Sequence, residues 1–293
     1  MHKASSKNKK ESLSNRAPLS VRPIKALGQN FLRYEKTVWQ VIQAADLKPD
    51  DIVIEIGPGR GALTLALAQK AKQVIAIEKD SKMVEVLAKI LTSQNVKNVE
   101  VINGDALNFQ FPISNFQSIS NFQFSNYKVV ANLPYNIATA VIMKFLESEN
   151  PPKLMVVMAQ KEVGQRICAK PPHTNKLAVF TQFYSQPKVI SYVSRKCFYP
   201  QPKVDSAILK IIPNNENKKR TSALLFSKIV NAAFTQPRKQ IINNLSNGLK
   251  LNRQTTMLWL RKNNIQPTQR PETLFVDEWL KLTATFPQVI MYK

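Results

Sequence analysis

Short apolar runs separated by helical patterns dominate the middle of the chain. The apolar runs predict buried strands, and they lie at residues 52–56, 74–77, 99–102, 129–131 and 154–158. Helical patterns occur at 38–45, 62–69 and 137–146, and a further one begins at 161. Two later runs, at 189–193 and 206–212, predict a closing pair of strands. Strands that alternate with helices in this way are typical of an α/β fold.

The last quarter of the chain has a different pattern. A polar, basic stretch at 213–220 follows the final strand pattern, and only helical patterns come after it, at residues 222–234, 237–247, 253–262 and 276–285. We place a domain boundary in this stretch. The sequence therefore predicts an α/β domain over 25–212 and a helical domain over 213–293.

Two segments do not fit the strand and helix pattern. Residues 1–24 are rich in Lys, Ser and Asn, and we expect them to form a disordered basic tail. Residues 109–127 contain a near-duplicate repeat without charge or glycine, as in Asn115-Phe116-Gln117. Such low-complexity sequence predicts an irregular surface insertion between the third and fourth strands.

The positive charge is large and unevenly distributed. The formal net charge is +23, and residues 163–271 alone carry 19 bases against the two acids Asp205 and Glu216. Residues 26–162 are nearly balanced, with 14 bases and 13 acids. A long segment with so few acids favours a polyanionic partner, RNA or DNA, over a merely basic surface.

Several classes of protein are disfavoured by the composition. No run approaches the roughly 18 apolar residues of a membrane helix, and the amino terminus has no apolar segment typical of a signal peptide, so we expect a cytoplasmic protein without membrane contact. Cys168, Cys197, His2 and His173 have no metal-ligand spacing. We therefore expect no metal and no disulfide framework.

Polar residues follow four consecutive predicted strands. The first strand runs into a turn that contains Gly57 and Gly59, and Glu78 ends the second strand 21 residues after Gly57. Asp105 follows the third strand and Asn132 ends the fourth. Glycine turns let the backbone approach a ligand, and an acid at this distance is placed to bind ribose hydroxyls. Because carboxyl ends of parallel strands share one edge, we expect a nucleotide-type site there.

The loop Asn132-Leu133-Pro134-Tyr135 is suited to a flat base with an exocyclic amine. The Asn132 side-chain oxygen and a backbone carbonyl at Leu133 or Pro134 can accept the two N–H bonds of the amine, and the Tyr135 ring can stack on the base. The alternative is an ordinary turn between a strand and a helix, made by Asn and Pro.

Two further segments are candidates for nucleic-acid contacts. The proline-rich loop 198–204 presents Phe198, which could cover the second face of a base, and Lys203, which could contact a phosphate; alternatively, Phe198 lies in the core. Arg238 and Lys239 stand where the second carboxyl-terminal helix is predicted to begin, and they could meet phosphates there. The alternative for these two is a solvated helix start.

Five motifs in this chain resemble those of a known family. They are Lys25-x-Leu27-Gly28-Gln29-Asn30-Phe31-Leu32, Glu55-x-Gly57-x-Gly59-x-Gly61, Gly104-Asp105-Ala106, Asn132-Leu133-Pro134-Tyr135 and Phe198-x-Pro200-x-Pro202-Lys203-Val204-x-Ser206. In this order they resemble the ribosomal RNA adenine N6,N6-dimethyltransferases of the KsgA family, which act on small-subunit RNA. The resemblance covers roughly residues 22–285.

The resemblance implies a fold and an activity. The fold is a Rossmann-like class I methyltransferase, with a seven-stranded, mostly parallel sheet whose last strand is antiparallel, followed by a small helical RNA-binding domain. The activity is dimethylation of adenine N6 on two adjacent adenosines near the 3′ end of 16S ribosomal RNA, with S-adenosylmethionine as methyl donor and no metal. We expect a monomer that acts on an assembling 30S subunit.

The resemblance also assigns residues to the site. It implies that Asn132, Pro134, Tyr135 and Phe198 hold the adenine. The S-adenosylmethionine contacts implied by the family fall on Asn30, Leu32, Gly57, Gly59, Glu78, Asp105, Ala106 and Asn132. The family usually carries a double arginine before a carboxyl-terminal helix, where this chain has Pro237-Arg238, and usually has Gly and Tyr-Gly in the region that here spans 172–177.

Three alternatives remain open at the level of sequence. An Erm-type methyltransferase, which modifies large-subunit RNA and confers macrolide resistance, shares the cofactor and base motifs. The opening motif and the ending from Arg270 to Trp279 look more like the small-subunit enzyme. A catalytically inactive RNA-binding homologue is disfavoured by the intact loop at Asn132, and an NAD-dependent enzyme is disfavoured by the glycine spacing.

Overall fold

A seven-stranded sheet organises this computed structural model, which describes residues 23–24, 27–108, 126–214, 216–217 and 221–287. In chain order the strands are β1 (Phe31–Leu32), β2 (Ile52–Ile56), β3 (Gln73–Glu78), β4 (Val99–Asn103), β5 (Tyr127–Asn132), β6 (Leu154–Gln160), β7 (Ser185–Val193), β8 (Phe198–Tyr199) and β9 (Ser206–Pro213). The large sheet has the order β4-β3-β2-β5-β6-β9-β7, and β1 pairs with β8 in a separate two-stranded sheet.

Strand direction follows the prediction. The strands β4, β3, β2, β5 and β6 are mutually parallel, whereas β9 runs antiparallel to both β6 and β7. The central strands are buried on both faces, which explains why they appear in the sequence as continuous apolar runs rather than alternating ones. The predicted mostly parallel sheet with an antiparallel last strand is confirmed.

Ten α-helices lie within the described residues. They are α1 (Glu35–Ala45), α2 (Ala62–Ala68), α3 (Ser81–Ser93), α4 (Ala138–Glu147), α5 (Lys161–Ile167), α6 (Lys176–Tyr184), α7 (Ala223–Ala233), α8 (Ile241–Leu249), α9 (Arg253–Lys262) and α10 (Val276–Ala284). None of these helices is long and apolar enough to cross a membrane.

One predicted helix boundary is wrong. The helix α8 begins at Ile241, not at Pro237, because the amide of Lys239 donates to the carbonyl of Gln236 at 2.9 Å and closes a separate turn. Arg238 and Lys239 are therefore exposed residues of the turn between α7 and α8 rather than the first residues of a helix.

Two helices were not predicted from the sequence. The apolar positions of α3, including Met83, Leu87 and Leu91, recur every four residues, and Asp80 caps the helix by accepting a hydrogen bond from the amide of Lys82 at 3.0 Å. Both signals were visible in the sequence. In α6 the apolar residues are instead spread around the helix, so the sequence lacks the periodic apolar pattern that would predict it.

The predicted tail and the predicted insertion lie mostly outside the described residues. Residues 1–22 of the predicted tail and 109–125 of the predicted insertion are not described. The last residue of the predicted insertion, Tyr127, was misplaced, because it is the first residue of β5 and is buried. Its hydroxyl donates to the carbonyl of Asn150 at 2.9 Å, so it is anchored in the fold.

The hydrophobic core continues from the sheet into the carboxyl-terminal helices. Phe183 of α6 stacks on Phe226 of α7, with ring centroids 4.0 Å apart, and Phe234 lies 5.8 Å from the buried ring of Trp279. The strand β9 ends at Pro213, and the division of the chain into two domains at this position stays a prediction. The shared core holds the basic helices in a fixed position beside the sheet.

Removing the ring of Phe226 should test how strongly this shared core stabilises the protein. Phe226 is 1% exposed, and we expect Phe226→Ala to lower the free energy of unfolding by about 3–5 kcal/mol, because it leaves a cavity beside Phe183. The matched control is Leu224→Ala on the same helix, where the side chain is 84% exposed and the change should stay within about 0.5 kcal/mol. Denaturant unfolding measures the stability of both variants. Equal losses of free energy of unfolding would show that the contact between Phe226 and Phe183 does not stabilise the protein.

Candidate active site

A cavity of about 680 Å³ opens at the carboxyl ends of β2, β3 and β5. It is lined by residues of the first four predicted strand ends together with the segment that precedes α1. The sequence-predicted members of the lining are Asn30, Leu32, Gly57, Gly59, Glu78, Asp105, Ala106, Asn132, Pro134 and Tyr135. The structure thus brings together every predicted cofactor residue and three of the four predicted base-holding residues.

The glycine turn after β2 forms one wall of the cavity. Gly57 and Gly59 have φ values of 67° and 53°, in the left-handed region that favours glycine. A Cβ atom on Gly59 would lie 2.8 Å from the ring of Phe31, so the ring can pack on the turn only because this residue has no side chain. The turn therefore holds the Phe31 ring close against its backbone, at the edge of the cavity.

Glu78 is fixed beneath this turn. Its Oε2 accepts a hydrogen bond from the amide of Gly59 at 3.1 Å, and its Oε1 accepts one from the amide of Asp80 at 2.9 Å. The side chain is nearly buried, and this burial raises the pKa of Glu78, while the two amides oppose the shift. A carboxylate held in this way has lone pairs left for further donors in the cavity.

Asp105 lies at the neighbouring strand end and already has a cationic partner. Its Oδ2 lies 2.9 Å from Nζ of Lys79, and its Oδ1 accepts a hydrogen bond from the amide of Leu107 at 2.9 Å. The hydrogen bond from Lys79 lowers the pKa of Asp105, and the Leu107 amide adds to the effect. Ala106, next along the chain, is buried against the same wall.

Asn132 connects the end of β5 to the segment before α1. Its Nδ2 donates to the carbonyl of Asn30 at 2.9 Å, and Nδ2 of Asn30 in turn donates to the carbonyl of Gly28 at 3.0 Å. These bonds hold the segment against the cavity and direct the amide oxygen of Asn132 away from Asn30. A neighbouring donor such as an exocyclic amine could bind that oxygen.

The ring of Tyr135 is oriented by its hydroxyl. Its Oη lies 2.7 Å from Oγ of Ser206, a fully buried residue at the start of β9. Burial raises the pKa of Tyr135, so the hydroxyl stays protonated at neutral pH. The half-buried ring and the half-buried Pro134 lie side by side in the cavity lining.

Phe198 does not reach the cavity. It is 3% exposed in the core, where it pairs with Leu32 across β1 and β8, while its neighbour Tyr199 lines the cavity and is 47% exposed. Successive residues of a strand point to opposite faces, so burial of one aromatic ring exposes the other. The sequence reading that placed Phe198 in the core describes this position.

The three predicted RNA-contacting cations lie away from the cavity lining. Lys203 is exposed in the loop between β8 and β9, and its carbonyl accepts a hydrogen bond from Arg195 at 3.0 Å. Arg238 and Lys239 are exposed in the turn before α8. No group of three or more His, Cys, Asp or Glu residues in the described ranges is arranged to hold a metal ion.

Glu55 is a site residue to which sequence reasoning gave no role. It lies in the interior of β2, is 1% exposed, and lines the cavity. Burial raises the pKa of Glu55 to about 8, the Thr64 hydroxyl opposes the shift, and the Glu78 carboxylate adds to it. An acid inside an otherwise apolar strand was the signal that could have identified it.

Comparison with known proteins identifies the family. A family model described as Ribosomal RNA adenine dimethylase matches residues 23–286. The chain belongs to this family. Its curated relatives include the Ribosomal RNA small subunit methyltransferase A of Dehalococcoides mccartyi, which is 39% identical over 92% of this chain and 90% of its own. The protein of the same name from Alkaliphilus metalliredigens is 39% identical over 88% of this chain and 90% of its own.

Solved structures place the dimethylase fold of this chain among the methyltransferases. A dimethyladenosine transferase from Plasmodium falciparum has a TM-score of 0.72 and 28% identity, over 87% of this chain and 97% of its own. The 23S rRNA methyltransferase ErmE has a TM-score of 0.68 and 26% identity, over 87% and 99% respectively. The predicted family and the predicted class I methyltransferase fold are both confirmed.

The raised pKa of Glu55 leads to a prediction about stability in this dimethylase. The folded protein holds a proton on Glu55 up to about pH 8, whereas the unfolded chain releases it near 4.5, so the free energy of unfolding falls as pH rises between these values. In Glu55→Gln this loss should shrink by on the order of a few kcal/mol. Denaturant unfolding at several pH values measures the slope, whatever the variant's absolute stability.

The control for this measurement is Glu85→Gln, at an exposed position of α3. It should leave the pH dependence unchanged, because an exposed carboxyl is solvated in both states. If Glu55→Gln and the native protein lose stability in parallel between pH 5 and 8, Glu55 is ionised in the fold.

Proposed function

We propose that this chain transfers methyl groups from S-adenosylmethionine to the N6 atoms of adenines in small-subunit ribosomal RNA. The proposed product carries two methyl groups on each of two adjacent adenosines near the 3′ end of 16S ribosomal RNA. The observation that carries the proposal is that the loop Asn132–Tyr135 faces the same cavity as the glycine turn and Glu78. The relatives that share about 39% of its residues are named as small-subunit methyltransferases.

The cavity fits S-adenosylmethionine in size and in chemistry. Gly57 lines the cavity, and a Cβ on Gly57 would lie 3.6 Å from Pro134, at the point where the two halves of the site meet. The Glu78 carboxylate would accept the ribose hydroxyls, and Asp105 would accept the adenine amine beside Ala106. Asn30, Leu32 and Asn132 would close the remaining side. When bound, the sulfonium supplies an activated methyl group.

The residues of the loop would orient the target base. An adenine N6 is a poor nucleophile because its lone pair is delocalised into the ring. The Asn132 oxygen and the Leu133 or Pro134 carbonyl would hold the two N–H bonds and turn the lone pair toward the methyl donor. Tyr135, fixed by Ser206, would set the plane of the ring. Most of the rate gain would then come from orientation.

No side chain in the cavity is assigned as a strong general base. The amine proton would leave late, to water, once the methyl group has been transferred. Phe198 supports this site indirectly, because its buried ring is the cross-strand partner of Leu32, which lines the cavity.

Affinity for RNA would come from the basic half of the molecule. Residues 163–271 carry a net charge of +17, and Lys203, Arg238 and Lys239 are exposed there. Phosphate contacts of this kind supply most nonspecific affinity for RNA and weaken with salt. We propose that residues 213–293 form an RNA-binding domain and that the monomer acts on an assembling 30S subunit.

An Erm-type activity on large-subunit RNA is the second candidate. The structure of ErmE is similar to 87% of this chain, and this similarity favours a shared reaction. The curated relatives are more similar in sequence, and they carry the small-subunit name. The intact loop at Asn132 argues against a catalytically inactive homologue.

A direct comparison of two substrates tests the proposed function. Tritiated S-adenosylmethionine should label small-subunit particles that lack the methyl groups, and digestion should release N6,N6-dimethyladenosine. Large-subunit RNA in a parallel reaction should stay unlabelled. Label confined to large-subunit RNA would replace the proposal by the Erm-type activity, and no label in either would exclude both.

Asn132→Ala should separate catalysis from RNA binding. We expect turnover to fall by at least about 100-fold, because the amide that aligns the adenine amine is lost. RNA affinity should stay near the native value, since phosphate contacts dominate it. The second methylation should suffer at least as much as the first, because monomethyladenine has a single N–H left to orient. Single-turnover rates on unmodified and monomethylated substrate measure this.

The control for Asn132 is Asn150→Ala, at an exposed position outside the cavity lining. It should leave both rates unchanged. Near-native rates for Asn132→Ala on both substrates would mean that the loop is only a turn between β5 and α4.

A further inference from the structure

The outer lip of the cavity carries exposed aromatic rings and arginines that the reaction itself does not use. We name this surface the aromatic rim and define it by Phe31, Arg33, Trp39, Arg60 and Tyr199, all of which line the cavity. We propose that the aromatic rim binds single-stranded nucleotides next to the target adenine, by stacking. The inference rests on the proposed function, because it names how the same site takes its RNA.

Exposure of large aromatic side chains is the first observation. Trp39 on α1 is 61% exposed and Tyr199 on β8 is 47% exposed. The other two tryptophans, Trp259 and Trp279, are 3% and 0% exposed, so Trp39 differs from them in lying at the surface. Two exposed aromatic rings on one lip are typical of a surface that binds a ligand. Single-stranded nucleic acid is one such ligand, since its bases stack on aromatic side chains whatever their sequence.

Two arginines are already seated on rings of the rim. Cζ of Arg60 lies 4.9 Å from the centroid of the Phe31 ring, and Cζ of Arg33 lies 5.8 Å from that of Tyr199. A guanidinium over an aromatic ring is attracted to the ring face, and the exposed Arg33 also places a positive charge where a phosphate could bind. An aromatic ring could therefore stack on the base of a nucleotide while the neighbouring arginine binds its phosphate.

The rim is also held rigidly. Phe31 and Tyr199 are direct partners in the β1–β8 pairing, and the amide of Arg33 donates to the carbonyl of Cys197 at 2.9 Å. The Phe31 ring packs on Gly59, as described above. A preorganised surface loses little conformational entropy when a ligand binds, so modest contacts suffice for affinity.

The chemistry of the rim favours RNA over a protein partner. Glu35 is the one exposed acid of the cavity lining, whereas Arg33 and Arg60 belong to the same lining and the neighbouring Lys36 is also exposed. An adenine turned out of its strand leaves neighbouring bases without a stacking partner. Because the rim continues into the cavity that contains Asn132 and Tyr135, its rings lie where those neighbours would pass.

Trp39 makes the proposal testable by fluorescence, because it is the one exposed tryptophan of the three in the chain. A short single-stranded oligoribonucleotide with the two adjacent target adenines should quench the tryptophan emission of the native protein. Trp39→Phe should abolish the quenching, since the remaining two tryptophans are buried. Trp39→Ala and Tyr199→Ala should each weaken binding roughly 10-fold, the scale of one lost base stack.

The matched control is Tyr192→Ala. Tyr192 is 52% exposed and has Nζ of Lys161 at 5.1 Å from its ring centroid, but it lies outside the cavity lining. This variant should bind the oligoribonucleotide like the native protein, and all four variants should bind S-adenosylmethionine normally.

Three outcomes are distinguishable. Quenching that needs Trp39, with weaker RNA binding in both alanine variants, supports the proposal. Unchanged RNA binding in both alanine variants overturns the proposal and leaves the aromatic rim as a docking site for another protein. A loss of S-adenosylmethionine binding instead of RNA binding also overturns it, and would make the rim a cover for the cofactor. Methyl labelling of small-subunit particles by the native protein is measured separately. If the native protein labels the particles but the rim variants bind RNA normally, the role of the aromatic rim is refuted and the proposed function stands.

Discussion

The hydrogen bond from the Gly59 amide to the Glu78 carboxylate joins the two strand ends on which the site depends. It fixes the turn after β2 against the end of β3 while leaving Glu78 nearly buried. Such burial is tolerable only because backbone amides meet both oxygens. Since Gly59 has no side chain, Phe31 can pack on the turn, and β1 then pairs with β8. The cavity wall and its lip thus share one anchor.

The shared core sets a second constraint. Phe183 of α6, which precedes β7, stacks on Phe226 of α7, which follows β9. A basic helical unit joined through buried rings cannot turn independently of the sheet. The packing of Phe183 on Phe226 therefore fixes where the cations of this unit lie relative to the cavity.

The sheet and the floor of the cavity were predictable because local sequence dictates them. Apolar runs mark strands that are buried on both faces, and Gly57 and Glu78 stand at strand ends by spacing alone. Which of two adjacent aromatics faces the cavity was not predictable, because Phe198 and Tyr199 are sorted only by pairing with β1. The bond from Asn132 to Asn30 spans 102 residues and leaves no local trace.

The pair formed by Lys79 and Asp105 means that this pocket carries its own counter-ion. The lysine is 61% exposed, so dissolved salt reaches the pair and weakens it. In the proposed complex the adenine amine would compete with that cation for the Asp105 carboxylate, and added salt would weaken the competitor. Phosphate contacts with a polyanion respond in the opposite sense. Added salt would therefore act in opposite directions on these two proposed contacts of the same molecule.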